Sequence, residues 1–385
     1  MAYMRIKKSI KLNFCLIALF FTFSLLSIDN RNITVGVISN NDRENYSIPY
    51  AINSIIPMIL NLAITDVKKQ FPKAEIKVKY FYFQKEAVTS RLAIDEALKD
   101  KDVQLVFGPF GSRPVTDGRD LIDKGDLLFI SQANTSNLKG LKNYYTPLEW
   151  QDRYAKTVID YAIEYSKKDK PKVAALILWN RTTPRDFYTI AQNYLKSNIL
   201  LKRIYDNQFN YDEAIKDILE YKPDIILNPN YKSISSLFIK LLFEKGYNGI
   251  IVGNSSWGCG GRQYIFRNRL RGIKYLGFSP RQNPCLFEIT EEEKKFKDSL
   301  LGNLNREYGS LFAMIYWAIK HSFTVLLKSK LELTRGNVSK IISSHAYFKG
   351  YGKKIYRFVK DNSDFNPINI YEYSPADKNG VRLVK

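Results

Sequence analysis

From Ile33 to Phe278 short β-branched and aromatic runs alternate with longer segments of helical spacing, and few architectures accept that rhythm. Residues 33–38 form a nearly continuous apolar run of the kind that fills a strand buried on both faces. Residues 50–70 then place Ile55, Ile56, Ile59, Leu60 and Ala63 at helical spacing. Strand patterns follow at 74–83, 103–107 and 127–130, separated by helical ones at 87–99 and 114–123. After Trp150 the series restarts, with helices over 150–166, 184–196, 211–221 and 234–245 and strands over 173–178, 200–205, 224–227 and 249–252. Two successive series of βαβ units predict an α/β protein of two Rossmann-like lobes, each a parallel sheet flanked by helices. Beyond Gly272 the order changes to a strand (273–278), two helices (290–306 and 308–327) and two further strands (353–359 and 368–373). The second of those helices is apolar on most faces, which predicts burial, and its Lys320 and His321 argue against a membrane span.

The chain of 385 residues is long enough for two cores, and 45% apolar with 25% charged residues is a globular composition. Its net charge of +21 raises the question of nucleic acid, but the basic residues are scattered and no nucleic-acid motif occurs. Such a surface also suits acidic partners or an anionic membrane face. The N-terminus reads as an export signal. Residues 1–13 are basic without an acid, 14–26 are almost wholly apolar, and Ser27 offers a small residue for cleavage. The apolar run is short for a span, although an uncleaved anchor stays open, with the membrane then reached only through that segment. Cys15 leaves with the signal, and Cys259 and Cys285 remain as a possible disulfide in an oxidising compartment or as two buried thiols. Neither has metal-ligand spacing to His321 or His345, the two histidines of the chain, so no metal or cofactor is expected.

In order and spacing, several segments resemble the type I periplasmic binding proteins, in particular the leucine/isoleucine/valine-binding branch that serves ABC transporters. They are 93–98 with 103–112 (VQLVFGPFGS), 128–138 (LFISQANTSNL), 147–152 (PLEWQD), 172–177 and the Tyr/Ala-rich 308–319. The resemblance covers nearly the whole chain after the signal. It implies two lobes joined by a three-crossover hinge that close on a small ligand: 1–27 as signal peptide, 28–147 plus 279–345 as the first lobe, 148–278 plus 346–385 as the second. It also implies a periplasmic or extracellular location and an ABC permease as partner.

Physical reasoning finds a site in the same place. Ligands of parallel α/β sheets lie beyond the carboxyl ends of the strands. There the chain runs through Gly108 and Gly111 to Ser112, just before a helix that starts near Pro114, and a helix start exposes unpaired amides. The loop 131–136 offers hydroxyls and amides on the same edge. By the resemblance Ser112 and Thr135 hold a carboxylate, with backbone contacts from Ala133 and Asn134; a role as helix caps alone is the alternative. The other lobe departs from the family. Trp179, Arg181 or Arg185 stands where an aromatic lid is expected, and Gly253, Asn254 and Ser255 replace an acidic residue that holds an ammonium group. An ordinary α-amino acid is thereby put in doubt.

Enzymatic readings find little support. Neither a nucleophile elbow, a P-loop nor a dinucleotide fingerprint occurs, and Glu149 and Asp152 near the hinge read as helix N-terminal charges. The expectation is a non-enzymatic solute-binding protein that delivers a small polar ligand to an ABC importer. A sensory or regulatory module on the same fold, and an exported hydrolase, are the alternatives.

Overall fold

Strand β1 (Asn32–Asn40) has neighbours on both sides, and the first half of the molecule is built outward from it. A computed structural model describes residues 31–40, 48–84, 87–178, 181–196, 199–205, 210–253, 270, 272–279, 291, 294–296, 298, 306–350, 355–360, 368–373 and 381–384. The signal segment 1–27 and both Cys259 and Cys285 lie outside them. After β1 come α1 (Ile48–Gln70), β2 (Glu75–Phe83), α2 (Ala87–Lys99), β3 (Leu105–Phe107), α3 (Ser112–Asp117), α4 (Arg119–Lys124), β4 (Leu128–Ile130) and β5 (Tyr144–Tyr145). The strands pair in parallel in the order β2-β1-β3-β4-β5. Val35, Val37, Leu105 and Phe107 face one buried layer, while Ile38, Val106 and Phe129 face another. A strand enclosed on both faces has to be apolar at successive positions, and for that reason these runs do not alternate.

The second series repeats the plan. It runs α5 (Gln151–Ser166), β6 (Val173–Ile177), α6 (Thr182–Leu195), β7 (Ile199–Ile204), α7 (Tyr211–Tyr221), β8 (Ile225–Asn228), α8 (Lys232–Glu244), β9 (Ile250–Gly253) and β10 (Lys274–Ser279). These five strands lie parallel in the order β7-β6-β8-β9-β10, the same permutation as the first sheet. Helix α9 (Arg306–Lys328) then returns to the first core, where Phe312, Ile315, Ile319 and Phe323 pack with α1 and β3 residues. Helix α10 (Arg335–Ser344), β11 (Tyr347–Lys349) and β12 (Ile355–Arg357) stay there, and β13 (Asn369–Tyr373) and β14 (Val381–Leu383) extend the second sheet antiparallel.

The sequence assigns everything from 346 onward to the second lobe, and here the structure differs. Phe348, Tyr356 and Phe358 belong to the core under the first sheet, and Val359 forms an antiparallel bridge with Thr146. The last passage to the second sheet therefore falls between 360 and 368. Aromatic side chains hold the segment there: Phe348 stacks on His321 of α9, and Phe358 lies tilted against both rings. Burial pushes the His321 imidazole pKa down.

Arg335 ties α10 to the first sheet. Its side chain is only 9% exposed. It donates to the carbonyls of Leu98 (3.0 Å), Asp100 (2.5 Å) and Val103 (2.8 Å) and pairs with Asp126 (2.5 Å). Replacing it removes the side-chain donor from the Leu98 and Val103 carbonyls, while the Asp100 carbonyl keeps the Val103 amide at 3.1 Å. Each part-buried acceptor left unpaired costs about 1–3 kcal/mol. Arg335→Met is expected to lower unfolding stability by about 3 kcal/mol, read from the urea midpoint at unchanged slope; a change within about 0.5 kcal/mol would contradict this role.

Candidate functional site

In both sheets the winding reverses beside the strand that follows the first: between β1 and β3 in one, and between β6 and β8 in the other. Ligands of doubly wound sheets bind outside the carboxyl ends at such switch points. By that rule the loops that matter are those after β1 and β3 on one lobe and after β6 and β8 on the other. Residues 41–47 after β1 lie outside the described residues, and the loop after β4 borders the β3 loop.

On the first lobe the chain leaves β3 at Gly108, whose φ of +99° suits glycine; a Cβ there would lie 2.5 Å from the Ile38 carbonyl oxygen. Gly111, with φ of +138°, is the N-cap residue of α3, so Ser112 is the first residue of the helix rather than its cap. The loop after β4 is pinned from several directions. Ser131 Oγ donates to the Pro109 carbonyl (2.5 Å), and Tyr144 Oη donates to the Ala133 carbonyl (2.5 Å). Asn134 turns toward the hinge: its Nδ2 donates to the Glu149 carbonyl (2.6 Å) and its own carbonyl accepts from the Gln151 amide (2.9 Å). Ala133 and Asn134 thus have their carbonyls occupied by the fold.

Thr135 is different. It is 1% exposed, yet its Oγ1 has no hydrogen-bond partner among the described residues. It stands at the N-cap of the short 3₁₀ turn Ser136–Leu138 but makes no side-chain cap bond. Gln132 Oε1, three residues earlier, is likewise buried and unpartnered. Buried polar atoms ordinarily have partners, so two orphans in the one loop after β4 make it the part of this edge best supplied with hydrogen-bonding capacity for a ligand.

The second lobe presents Arg181, Thr183 and Tyr231. Asn230, wholly buried, fixes the loop after β8: its Oδ1 accepts from the Leu178 amide (2.8 Å) and its Nδ2 donates to Asn228 Oδ1 (2.6 Å) and the Leu176 carbonyl (3.3 Å). Tyr231 follows as the N-cap residue of α8. Burial raises its phenol pKa, while a hydrogen bond with Thr183 and the charge of Arg181 draw it back. Thr183 Oγ1 also lies 3.3 Å from Ser112 Oγ on the other lobe. A run of hydroxyls, Ser112, Thr183 and Tyr231, therefore crosses the cleft next to the Arg181 charge.

Of the residues singled out from the sequence, Ser112, Ala133, Asn134 and Thr135 lie on one edge and Arg181 on the facing one. Trp179, Asn254 and Ser255 lie outside the described residues. Tyr231, Thr183 and Asp186 were not anticipated. The strand-end rule applied to 225–228 points to Tyr231, whereas nothing local in the sequence pairs Thr183 or Asp186 with the other lobe. Among the described residues no group of three or more His, Cys, Asp or Glu is arranged to hold a metal, and no helix is long and apolar enough to cross a membrane.

No protein-family model matches the chain, and no curated protein does. Solved structures do. A type 1 periplasmic binding protein from Bordetella pertussis superposes with a TM-score of 0.67 at 14% identity, covering 92% of this chain and 99% of that one. This chain has the type I periplasmic binding protein fold. A fatty acid ABC transporter substrate-binding protein from Thermomonospora curvata gives a TM-score of 0.73 at 12% identity, covering 92% of each chain. The branched-chain amino acid transporter substrate-binding protein of Streptococcus pneumoniae, solved with isoleucine, gives 0.65 at 15% identity, covering 92% of this chain and 99% of that one. These neighbours are binding proteins.

If the Thr135 hydroxyl serves a ligand and not the fold, Thr135→Val should leave the unliganded protein at least as stable, because an isosteric apolar group replaces an unsatisfied polar one. A gain of up to about 1 kcal/mol in chemical denaturation is expected, and a loss of that size would assign the hydroxyl to the fold.

Proposed function

We propose that the chain is an extracytoplasmic solute-binding protein. It captures a small polar ligand between the lobes and delivers it to an ABC importer. The observation that carries this reading is the buried, unpartnered Thr135 hydroxyl on an edge that also presents Ser112. The neighbouring structures support it, since their titles name ABC transporter substrate-binding proteins, one with isoleucine bound. Thr135 Oγ1 and the Ser112 hydroxyl would hold the ligand's anionic or carbonyl end. The hydroxyls of Thr183 and Tyr231 with Arg181 would face it from the other lobe, so closure buries the ligand among hydrogen-bonding groups. Asp186, a carboxylate on the facing edge, already takes the Ser136 amide and hydroxyl, which leaves the facing hydroxyls and the Arg181 guanidinium to meet the ligand. Those groups favour carboxylates, amides and related neutral or acidic solutes over a free ammonium group.

The same reading places the protein outside the cytoplasmic membrane, with the basic and apolar segment 1–27 as its export signal. It assigns no catalysis. Asp186, an acid at this cleft, is engaged by Ser136.

A thermal-shift screen against amino acids, dicarboxylates, amides, short peptides, fatty acids and sugars tests the proposal. A true ligand at 100 times its Kd adds about 2.7 kcal/mol of stability. The expected hit is weakened at least tenfold in both Ser112→Ala and Thr135→Val, while each variant alone keeps the wild-type melting profile to within a few degrees. A hit equally strong in both variants would move the ligand away from this edge.

A further inference from the structure

Asp186 lies in the first turn and a half of α6 on the second lobe, yet its partners are on the first. The Ser136 amide donates to its Oδ2 at 2.9 Å and the Ser136 hydroxyl donates to the same oxygen at 3.1 Å. Ser136 follows Thr135 directly, so the carboxylate is held on the edge that the family resemblance reserves for an external anion. No ion pair to Asp186 is found among the described residues. Lys139, at the end of the same 3₁₀ turn, is engaged by Asp152 at 2.9 Å. Burial raises the Asp186 pKa, the two Ser136 bonds lower it, and the Asp152 charge adds to the rise. A half-buried carboxylate without a cation is costly, and here the two donors that offset the cost come from the opposite lobe. If the lobes part, the carboxylate regains water and Ser136 loses its acceptor.

We propose that Asp186 is an interlobe latch: its carboxylate takes the Ser136 amide and hydroxyl, holding the cleft closed when no ligand is bound. Thr183 against Ser112 and the Lys139–Asp152 ion pair are further contacts between residues of the two series. The latch rests on the two-lobed cleft of the proposed function but not on any ligand. A protein that closes while empty reaches its binding-competent open form for only part of the time, so the latch sets the apparent affinity from outside the ligand's own contacts.

The test needs no ligand. Small-angle scattering of the purified ligand-free protein is compared with Asp186→Ala, and amide exchange is followed at Ser136. The latch predicts a larger radius of gyration for the variant and Ser136 exchange faster by roughly tenfold or more. Ser136→Pro breaks the same contact from the other lobe. It removes both donors at a first helical position that accepts proline, and Thr135, at ψ of 146°, already has the backbone a residue before proline adopts. It should open the protein to the same radius, and it decides the matter alone should Asp186→Ala fail to fold. Unchanged radius and exchange in Asp186→Ala, or an unchanged radius in Ser136→Pro, would overturn the latch. An empty ligand screen would sink the solute-binding reading and leave this result standing.

Discussion

Parallel strands deliver all their carboxyl ends to one edge, and everything functional in this molecule depends on that constraint. Each sheet carries the same permutation, so each has one crevice where the winding reverses. The passages near Trp150 and near Val359 turn those crevices toward each other. Asn134 bonding to residues 149 and 151, and Val359 bridging Thr146, tie the hinge to the loop that carries Thr135. Placement of the site thus follows from topology, and its chemistry from the few side chains that loops after strand ends can present.

Those side chains divide by how their polar atoms are satisfied. Asn230 and Ser131 meet their partners within one lobe and serve to hold loops in shape. Ser136 meets Asp186 across the gap, so the bond exists only while the lobes are together. The Thr135 hydroxyl meets no partner among the described residues. In a low-dielectric cleft each of these states has a different energetic meaning: rigidity in the first case, closure in the second, and unused hydrogen-bonding capacity in the third.

The fold was legible because buried parallel strands must be apolar throughout, as in VAALI at 173–177, and such runs stand out between helical segments. Helix α10 escaped notice since RGNVSKIISS is polar, with glycine at its start; it is held by the Thr334 cap, by Arg335 and by Val338, Ile341 and Ile342 in the first core. Two-residue β5 is too short for any pattern. At the site, Ser112 and Thr135 could be found by following strand ends, and so could Tyr231. Thr183 and Asp186 could not, because their partners lie 71 and 50 residues away on the other lobe. The end of the first lobe was misjudged at 346 for a related reason: aromatic residues such as Phe348 and Tyr356 pack equally well in either core until the hairpin's position is known.

Native mass spectrometry of the protein equilibrated with a small-molecule extract tests the central claim most directly, namely that the interlobe edge is a ligand site built on Thr135. The account predicts one equivalent of a small polar molecule retained by the wild-type chain and lost in Thr135→Val. Retention of the same molecule by both proteins, or by neither, would contradict it.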